Sequence, residues 1–479
     1  MFEVDATNEQ SGNRLRRFRR ASLIFMAFSV TIAGLYVWKF WHDRQHVPPV
    51  ALYHLVYDGV MDNLYDQSHL KEIVPLEHKY DEQIKTTADA VKYANEMLKT
   101  LDDPFTTVSD ERAISRRDDA NKGFYSGVGM IMTAKHRPIR VRMVMEESPA
   151  LKAGIKPGDE IISVDNLDCS KIPPMEIGNH TRKHLGETVR FVIRRHGRVM
   201  EVPIIPCKMK VLATHMRMLD KEIGYERIES FVPDDLTKIV EDDLSKLVGA
   251  KALILDLRGN PGGSVNSCLD IATLFLDSGD LVTLKSRLDK GKTQAVRYSL
   301  KPDTMEVVTT ANDKTGVTEQ ARKPNLTGNK PIYILVDEAS ASAAEMLAAM
   351  LRDNNRGVLI GQRTYGKGVM QIFVPLPNDT ALAITAGRYY TPSGAWLGNG
   401  KFDEPEDEAE SKSGAESKSG AESKAKLADK PQDLSRGIAP DIVIKPVDDL
   451  QYGAKNDNQL NDVLLLARKE LDRQKAMQR

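Results

Sequence analysis

The sequence predicts a multidomain chain of mixed α/β and α+β class, and three observations carry that prediction. Residues 21–38, ASLIFMAFSVTIAGLYVW, form an uncharged apolar run. Short β-like runs punctuated by Gly and Pro begin near residue 123, and from about residue 209 buried-type strands alternate with amphipathic helices. At 479 residues the chain is too long for one ordinary domain and has the apolar content to build more than one core. Its 67 basic and 68 acidic residues leave a net charge of −1, which supplies no general attraction for nucleic acid, and none is expected as a partner. Cys169, Cys207 and Cys268 show no CxxC spacing and read as small core residues.

At the amino terminus, residues 21–38, with Phe40 and Trp41, supply roughly the 20 apolar positions that span a bilayer, so a transmembrane helix is expected over residues 21–41 behind a basic tail, 1–20. A cleaved signal peptide is the alternative, but the run is longer than a usual h-region and no A-x-A-like site follows. Arg14, Arg16, Arg17, Arg19 and Arg20 precede the run, whereas Lys39, His42 and Arg44 follow it. The positive-inside rule then leaves the amino terminus in the cytoplasm, with a single-pass anchor in the inner membrane and the rest of the chain extracytoplasmic, in the periplasm.

Residues 48–120 are polar and helix-periodic, and suggest a small helical region with a docking or stalk role. It ends at LDDPFTTVSDER, where the residue before Pro104 is pushed out of the helical conformation. Over residues 122–208, GVGMIMT, IRVRMVM and ETVRFVIRR read as strands, and SPALKAG and PPMEIGNHTRKH as short helices. The stretch ESPALKAGIKPGDEIISVDNLDCS resembles the PDZ family, including the pair Gly158 and Asp159 that opens its central hairpin. By that resemblance Ser126, Gly127, Val128 and Gly129 fall at the loop that receives a peptide's terminal carboxylate. Successive N–H donors at a strand start make an anion nest, and the strand edge beside it accepts an extended peptide; the plainer reading is a tight turn. His180 and His184 share one helix face, but no Glu completes the HExxH pattern and no third ligand is evident, so they read as solvated and no metal is expected.

The chemistry lies in residues 209–401. ALILDLRGNPGGSVNSCLDIATLFL opens with a continuous apolar strand, turns through Gly259 to Gly263 and enters an amphipathic helix. PIYILVDE is a second buried-type strand that feeds ASASAAEMLAAMLRDNN, and RGVLIG is a third, which together argue for a largely parallel, covered sheet. Two serines, Ser340 and Ser342, precede the Ala-rich helix. Ser342-Ala343-Ala344-Glu345 satisfies a capping box, so Ser342 can be read as a cap alone. The same position also puts a hydroxyl beside the unpaired N–H groups of a helix start, which suits an acyl-transfer oxyanion. Such a serine needs a base, and Lys367, between Gly366 and Gly368, serves once burial lowers its pKa. Gly361 to Lys367 also matches a phosphate loop, but Gly368 stands where Ser or Thr must bind magnesium and a strand-like run follows, so no nucleotide or other cofactor is expected.

LDDPFT, the PDZ-like module, LILDLRGNPGG, SASAAEMLAAMLRDN and GQRTYGKGVMQ, in that order, resemble the carboxy-terminal processing peptidases, or tail-specific proteases, over roughly residues 100–400 plus RGIAPDIVI near residue 440. The resemblance implies a ClpP/crotonase-like α/β protease domain with Ser342 as nucleophile and Lys367 as general base. It places Gln371 as the residue that orients the lysine, and the backbone N–H groups of Gly263 and Ala343 as the oxyanion hole. The family often carries a second serine where this chain has Ala344. In a straight strand Lys367 and Gln371 would sit about 13 Å apart, so the chain must bend between them. The implied activity is a membrane-anchored serine endopeptidase that acts on extracytoplasmic proteins near their free C-terminal tails, targeted or gated by the PDZ domain. An adaptor protein and a homo-oligomer are further partners left open. The competing reading is an inactive PDZ scaffold that binds tails.

Two segments extend a compact member of that family. Residues 287–328 are a long polar connection, read as a surface hairpin or flap, and residues 402–435, with AESKSG repeats, are too small and charged to bury a core and are expected to be disordered. Residues 436–450 return as a strand, and 455–479 form an amphipathic helix suited to docking or dimerisation.

Overall fold

In the computed structural model, residues 47–132, 137–145, 147–289, 292–312, 314–398, 436–447, 450 and 452–477 are described. The basic tail, the expected transmembrane helix and the 402–435 insertion lie outside them. No helix among the described residues is long and apolar enough to cross a membrane, and the fold class is corrected accordingly: the described residues comprise a helical region, an α+β module and an α/β domain, with no transmembrane helix among them. The longest helix among the described residues, Asn458–Met477, carries charged residues on its outer side, and length without continuous apolarity does not make a span.

The helical region begins with α1 (Pro49–Asn63), which has proline at its first position, where no N–H is needed, and buries Leu52, Tyr53, Val56, Tyr57 and Val60 along one stripe. After the one-turn helix Leu70–Ile73 and two 3-10 turns, α2 (Thr87–Leu98) opens on a capping box: Thr86 Oγ1 accepts the Asp89 N–H at 3.1 Å and Asp89 Oδ2 accepts the Thr86 N–H at 2.9 Å. These helices share a core with Val108, Leu382 and Ile384, so the region is packed onto the main body rather than standing off as a stalk. Val108 belongs to β1 (Thr107–Ser109), and Asn95 clamps it by pairing with both of its backbone groups, at 2.9 and 3.0 Å. Then α3 (Glu111–Asn121), capped by Asp110, leads into the α+β module.

That module contains β2 (Phe124–Gly127), β3 (Met130–Met132), β4 (Val141–Val144), β5 (Glu160–Val164), β6 (Leu167–Asp168), α4 (Pro174–Lys183), β7 (Val189–Arg195), β8 (Arg198–Ile204) and β9 (Cys207–Lys210). Its entry and exit strands, β2 and β9, pair antiparallel, and its core is built from Val128, Ile139, Val141, Ile161, Phe191 and Ile193 among others. The Gly158-Asp159 pair has a physical basis. Gly158 takes φ 86°, and the buried Asp159 carboxylate accepts both Nε and Nη2 of Arg195 at 2.6 Å.

The α/β domain follows as β10 (Thr214–Met218), β11 (Ile223–Ile228), α5 (Leu236–Lys246), β12 (Ala252–Asp256), α6 (Val265–Thr273), β13 (Gly279–Asp289), β14 (Lys292–Leu300), β15 (Thr304–Ala311), β16 (Lys314–Ala321), β17 (Ile332–Val336), α7 (Ala343–Asp353), β18 (Val358–Gly361), β19 (Val369–Leu376), β20 (Thr380–Tyr390), β21 (Ile442–Val443) and α8 (Asn458–Met477). One sheet runs β10-β11-β12-β17-β18-β21, parallel except for edge strand β10. Its central strands β12 and β17 are buried throughout and almost wholly apolar because both faces are covered. Leu253, Leu255, Ile334 and Val336 join the cluster under α5, α6 and α7, while Ile254, Tyr333 and Leu335 meet Leu460, Val463, Ala467 and Leu471 of α8. The carboxy-terminal helix therefore spends its apolar face on its own sheet.

A buried clamp holds that helix in place. Arg258, fully buried, donates to Asp256, to both carboxylate oxygens of Asp457 and to Gln459, which links the loop after β12 to the start of α8. The polar connection 287–328 is largely strand: β13 to β16 form an antiparallel meander with β20 and β1. Its β-branched residues suit a pleated surface, and β16 is exposed along nearly all its length, which accounts for the polar sequence.

Candidate active site

Ser342 stands where β17 passes into α7. The connecting loop is organised by buried Asp337, whose Oδ1 accepts the N–H groups of Gly259, Ala339 and Ser340 at 2.9–3.0 Å. Its Oδ2 accepts Arg142 Nη2 of the α+β module at 2.6 Å and the Tyr452 hydroxyl. Ser340 points inward, donating to the Leu257 carbonyl at 2.8 Å and accepting the Asp337 N–H at 2.9 Å, so its hydroxyl is structural. Ser342 itself adopts φ 55° and ψ −118° at the N-cap of α7. Few L residues enter this region, and a surrounding structure must impose it. Here the Glu345 carboxylate accepts the Ser342 N–H at 2.9 Å, and the Tyr389 hydroxyl donates to the Ser342 carbonyl at 3.2 Å.

The glycine turn lies directly against this residue. Buried Asn260 donates to the Ile228 carbonyl and accepts the Gly262 N–H, both at 2.8 Å, while its own carbonyl accepts the Ala341 N–H at 2.9 Å. Gly262 takes φ 92°, and a Cβ there would sit 2.8 Å from both Ala343 N and Ser342 Cβ. Only glycine leaves the Ala343 N–H open. The Gly262 N–H is spent on Asn260 and the Ser264 N–H on the Phe231 carbonyl at 2.8 Å. The Gly263 N–H, between them, has no such acceptor among the described residues, beside the Ala343 N–H that starts the helix. Free backbone donors beside a serine are what an oxyanion requires.

Lys367 approaches from the other side. Its Nζ donates to Gln371 Oε1 at 2.6 Å and lies 5.0 Å from the centre of the Phe105 ring. Burial lowers its pKa from the usual lysine value, against the opposing pull of Asp103. Gln371 Nε2 donates to the Phe105 carbonyl at 2.6 Å, which fixes the amide with its oxygen toward the lysine. The expected bend is present: Lys367 precedes β19, and the β19–β20 register slips between Met370 and Gln371.

Glu345 joins the two halves. Its fully buried carboxylate accepts the Thr364 hydroxyl and the Gly366 N–H on Oε1, at 2.5 and 2.6 Å, and the Ser342 and Lys367 N–H groups on Oε2, both at 2.9 Å. Burial raises its pKa, and these four donors pull the other way. Tyr389 adds a second tie, sharing its one hydroxyl proton between the Lys367 carbonyl at 2.5 Å and the Ser342 carbonyl at 3.2 Å. Sequence reasoning assigned Glu345 to a cap and gave no role to Tyr389 or to the Phe105 carbonyl. The LDDPFT motif was the available signal for Phe105, whereas nothing marked Tyr389.

The structure thus brings Ser342, Lys367, Gln371, Gly263 and Ala343 to one place. Ser126, Gly127, Val128 and Gly129 lie in the separate α+β module. The first two end β2, and the others connect to β3, where the Val128 and Gly129 carbonyls accept the Ala150 and Met145 N–H groups at 2.9 Å. His180 and His184 each face a carboxylate of their own, Asp165 at 2.7 Å and Glu187 at 2.8 Å.

Residues 222–405 match peptidase family S41, and residues 140–195 match the PDZ domain. A carboxy-terminal-processing protease of Bartonella bacilliformis is 31% identical over 307 residues, covering 63% of this chain and 65% of that protein. The carboxy-terminal processing protease of Bacillus subtilis is 30% identical over 317 residues, covering 66% of this chain and 62% of that one. The chain thus spans just under two thirds of the length of either relative. Among solved structures, the photosystem II D1 C-terminal processing protease superposes with a TM-score of 0.55 over 83% of this chain and 94% of that one. At 21% identity that likeness speaks for the fold.

Proposed function

We infer that this chain, which belongs to peptidase family S41 and carries a PDZ domain ahead of its catalytic sheet, is a serine endopeptidase of the carboxy-terminal processing type. One observation carries the reading: Ser342, in a conformation costly for any residue but glycine, and Lys367, with a lowered pKa, are pinned through their backbone N–H groups to one oxygen of Glu345.

Neutral Lys367 takes the Ser342 Oγ proton as Oγ bonds to the substrate carbonyl carbon. The carbonyl electron pair moves onto oxygen and is held by the Gly263 and Ala343 N–H groups. Collapse breaks the C–N bond, and the Lys367 ammonium returns its proton to the leaving amine. The same lysine then deprotonates a water that bonds to the acyl carbon, the C–Oγ bond breaks, and the Lys367 ammonium returns its proton to Ser342 Oγ. Gln371 holds the amine in line, and the Phe105 carbonyl holds Gln371.

Selection of substrates by their free C-terminal tails is assigned to the PDZ domain, through the turn at Ser126 to Gly129. Its attachment to the loop before Ser342, through Arg142 and Asp337, supports a link between the two sites. An extracytoplasmic site of action is proposed on the arginine-rich, then apolar composition of residues 14–38, and cell fractionation tests it.

The test of the activity incubates the protein with a loosely folded substrate ending in an apolar carboxyl terminus, beside Ser342→Ala and Lys367→Ala, with products read by mass spectrometry. Cleavage by the parent and by neither variant is expected. Binding of the tail without cleavage by the parent overturns the peptidase reading in favour of a PDZ scaffold.

A further inference from the structure

Away from the active site, three side chains able to ligate a metal converge in the helical region: His54 on α1, His78 in the turn before the 3-10 helix Asp81–Gln83, and Asp81 at its start. We propose that they form a divalent transition-metal site that staples α1 to this turn.

The geometry is that of a shared centre. Asp81 Oδ1 lies 3.1 Å from His54 Nε2, Asp81 Oδ2 lies 3.0 Å from His78 Nδ1, and the three ligand atoms all fall within 4.8 Å of one another. The imidazole rings are 4.9 Å apart. Asp81 Oδ1 is shielded from solvent, and its approach to His54 at 3.1 Å leaves it without a hydrogen bond that satisfies it. A cation between them satisfies it. Two imidazole nitrogens and one carboxylate oxygen suit Zn²⁺ or Co²⁺ rather than Mg²⁺ or Ca²⁺, and bonds of about 2.0–2.2 Å ask only a small inward movement of each group.

The surroundings fit as well. His78 is 72% exposed, which leaves the fourth position to water, and Glu77 Oε1 lies 3.8 Å from its free Nε2, placed to orient the ring from behind. The pair His180 and His184 offers a contrast. It has the helical spacing and rings 4.6 Å apart, but each ring faces its own acid and no third ligand atom joins both among the described residues. His54 is a neighbour of Tyr53, which is buried in the core that α1 shares with Leu382 and Ile384 of β20. A metal here therefore ties the turn to a helix docked on the sheet that carries Gln371, without touching the catalytic groups.

The test uses the full chain, stripped with a chelator and then equilibrated with Zn²⁺ or Co²⁺ alone. One ion retained per chain after dialysis, the visible bands of tetrahedral Co²⁺ and a rise in Tm with Zn²⁺ are expected. His54→Ala and Asp81→Ala abolish all three. His78→Ala, at an exposed position that the fold tolerates, weakens retention by about tenfold or more, while His184→Ala leaves it unchanged. A parent that retains no stoichiometric metal overturns the site, as does retention that survives His78→Ala intact.

Discussion

Lys367 and Gln371, four residues apart in sequence, face each other across a bend, with Nζ donating to Oε1 at 2.6 Å. Burial holds the lysine below its usual pKa, so the neutral base becomes available as pH rises through that lowered value. Gln371→Glu places a negative charge against the amine and favours the ammonium. The acid limb of kcat/KM is expected to move to higher pH, and at a fixed pH on that limb activity falls about tenfold for each pH unit the limb moves. A pH–rate profile checks this, and an unmoved limb argues that Lys367 is not the base.

Glu345→Gln leaves the shape of the site intact but turns an amide N–H₂ toward groups that are themselves donors. Each stranded donor costs roughly 1–3 kcal/mol, and because two of the four belong to Ser342 and Lys367, kcat should fall with little change in KM. Steady-state kinetics beside denaturant unfolding separate the two effects.

Ser342→Gly relieves a backbone held at φ 55°, ψ −118° and removes the nucleophile. The variant is expected to be inactive and more stable than Ser342→Ala, by about 1–3 kcal/mol. Urea midpoints of the two variants decide it, and equal midpoints would mean the conformation carries no strain.

Gly262→Ala directs a Cβ to within 2.8 Å of Ala343 N and Ser342 Cβ. Loss of one oxyanion donor predicts a fall of about 10²–10³ in kcat, without comparable loss of tail binding. Turnover against tail-peptide affinity measures the two separately.

Arg258→Ala strips the buried Asp256 and Asp457 carboxylates of their shared partner. A cost of roughly 3–5 kcal/mol is expected, since breaking a buried pair leaves uncompensated charge. Faster protease cutting within α8 would accompany the lower urea midpoint, because Asp457 and Gln459 anchor the start of that helix.

Much of this molecule was legible before folding because its signals are local. Continuous apolar runs such as ALILD and IYILV read as covered parallel strands, Ser342 to Glu345 read as a helix start, and glycines marked the turn at 259–263. The motif order pointed to Ser342, Lys367 and Gln371, which the fold brings near one another. The apolar run at residues 21–38 satisfies the length rule for a membrane span but lies outside the described residues, among which no helix is long and apolar enough to cross one.

Tertiary structure decided what depends on groups far apart in sequence. Glu345 read as a cap is correct locally, but only the return of the chain at Thr364 to Lys367 makes its carboxylate the common anchor of serine and lysine. The Phe105 carbonyl reaches Gln371 across 266 positions, and the polar 287–328 segment becomes a meander because β20 offers its first strand an edge. A pattern in sequence specifies which face of an element is apolar and where it stops. Which distant donor meets which acceptor, and how far a lysine is taken out of water, follow only once the sheets have packed.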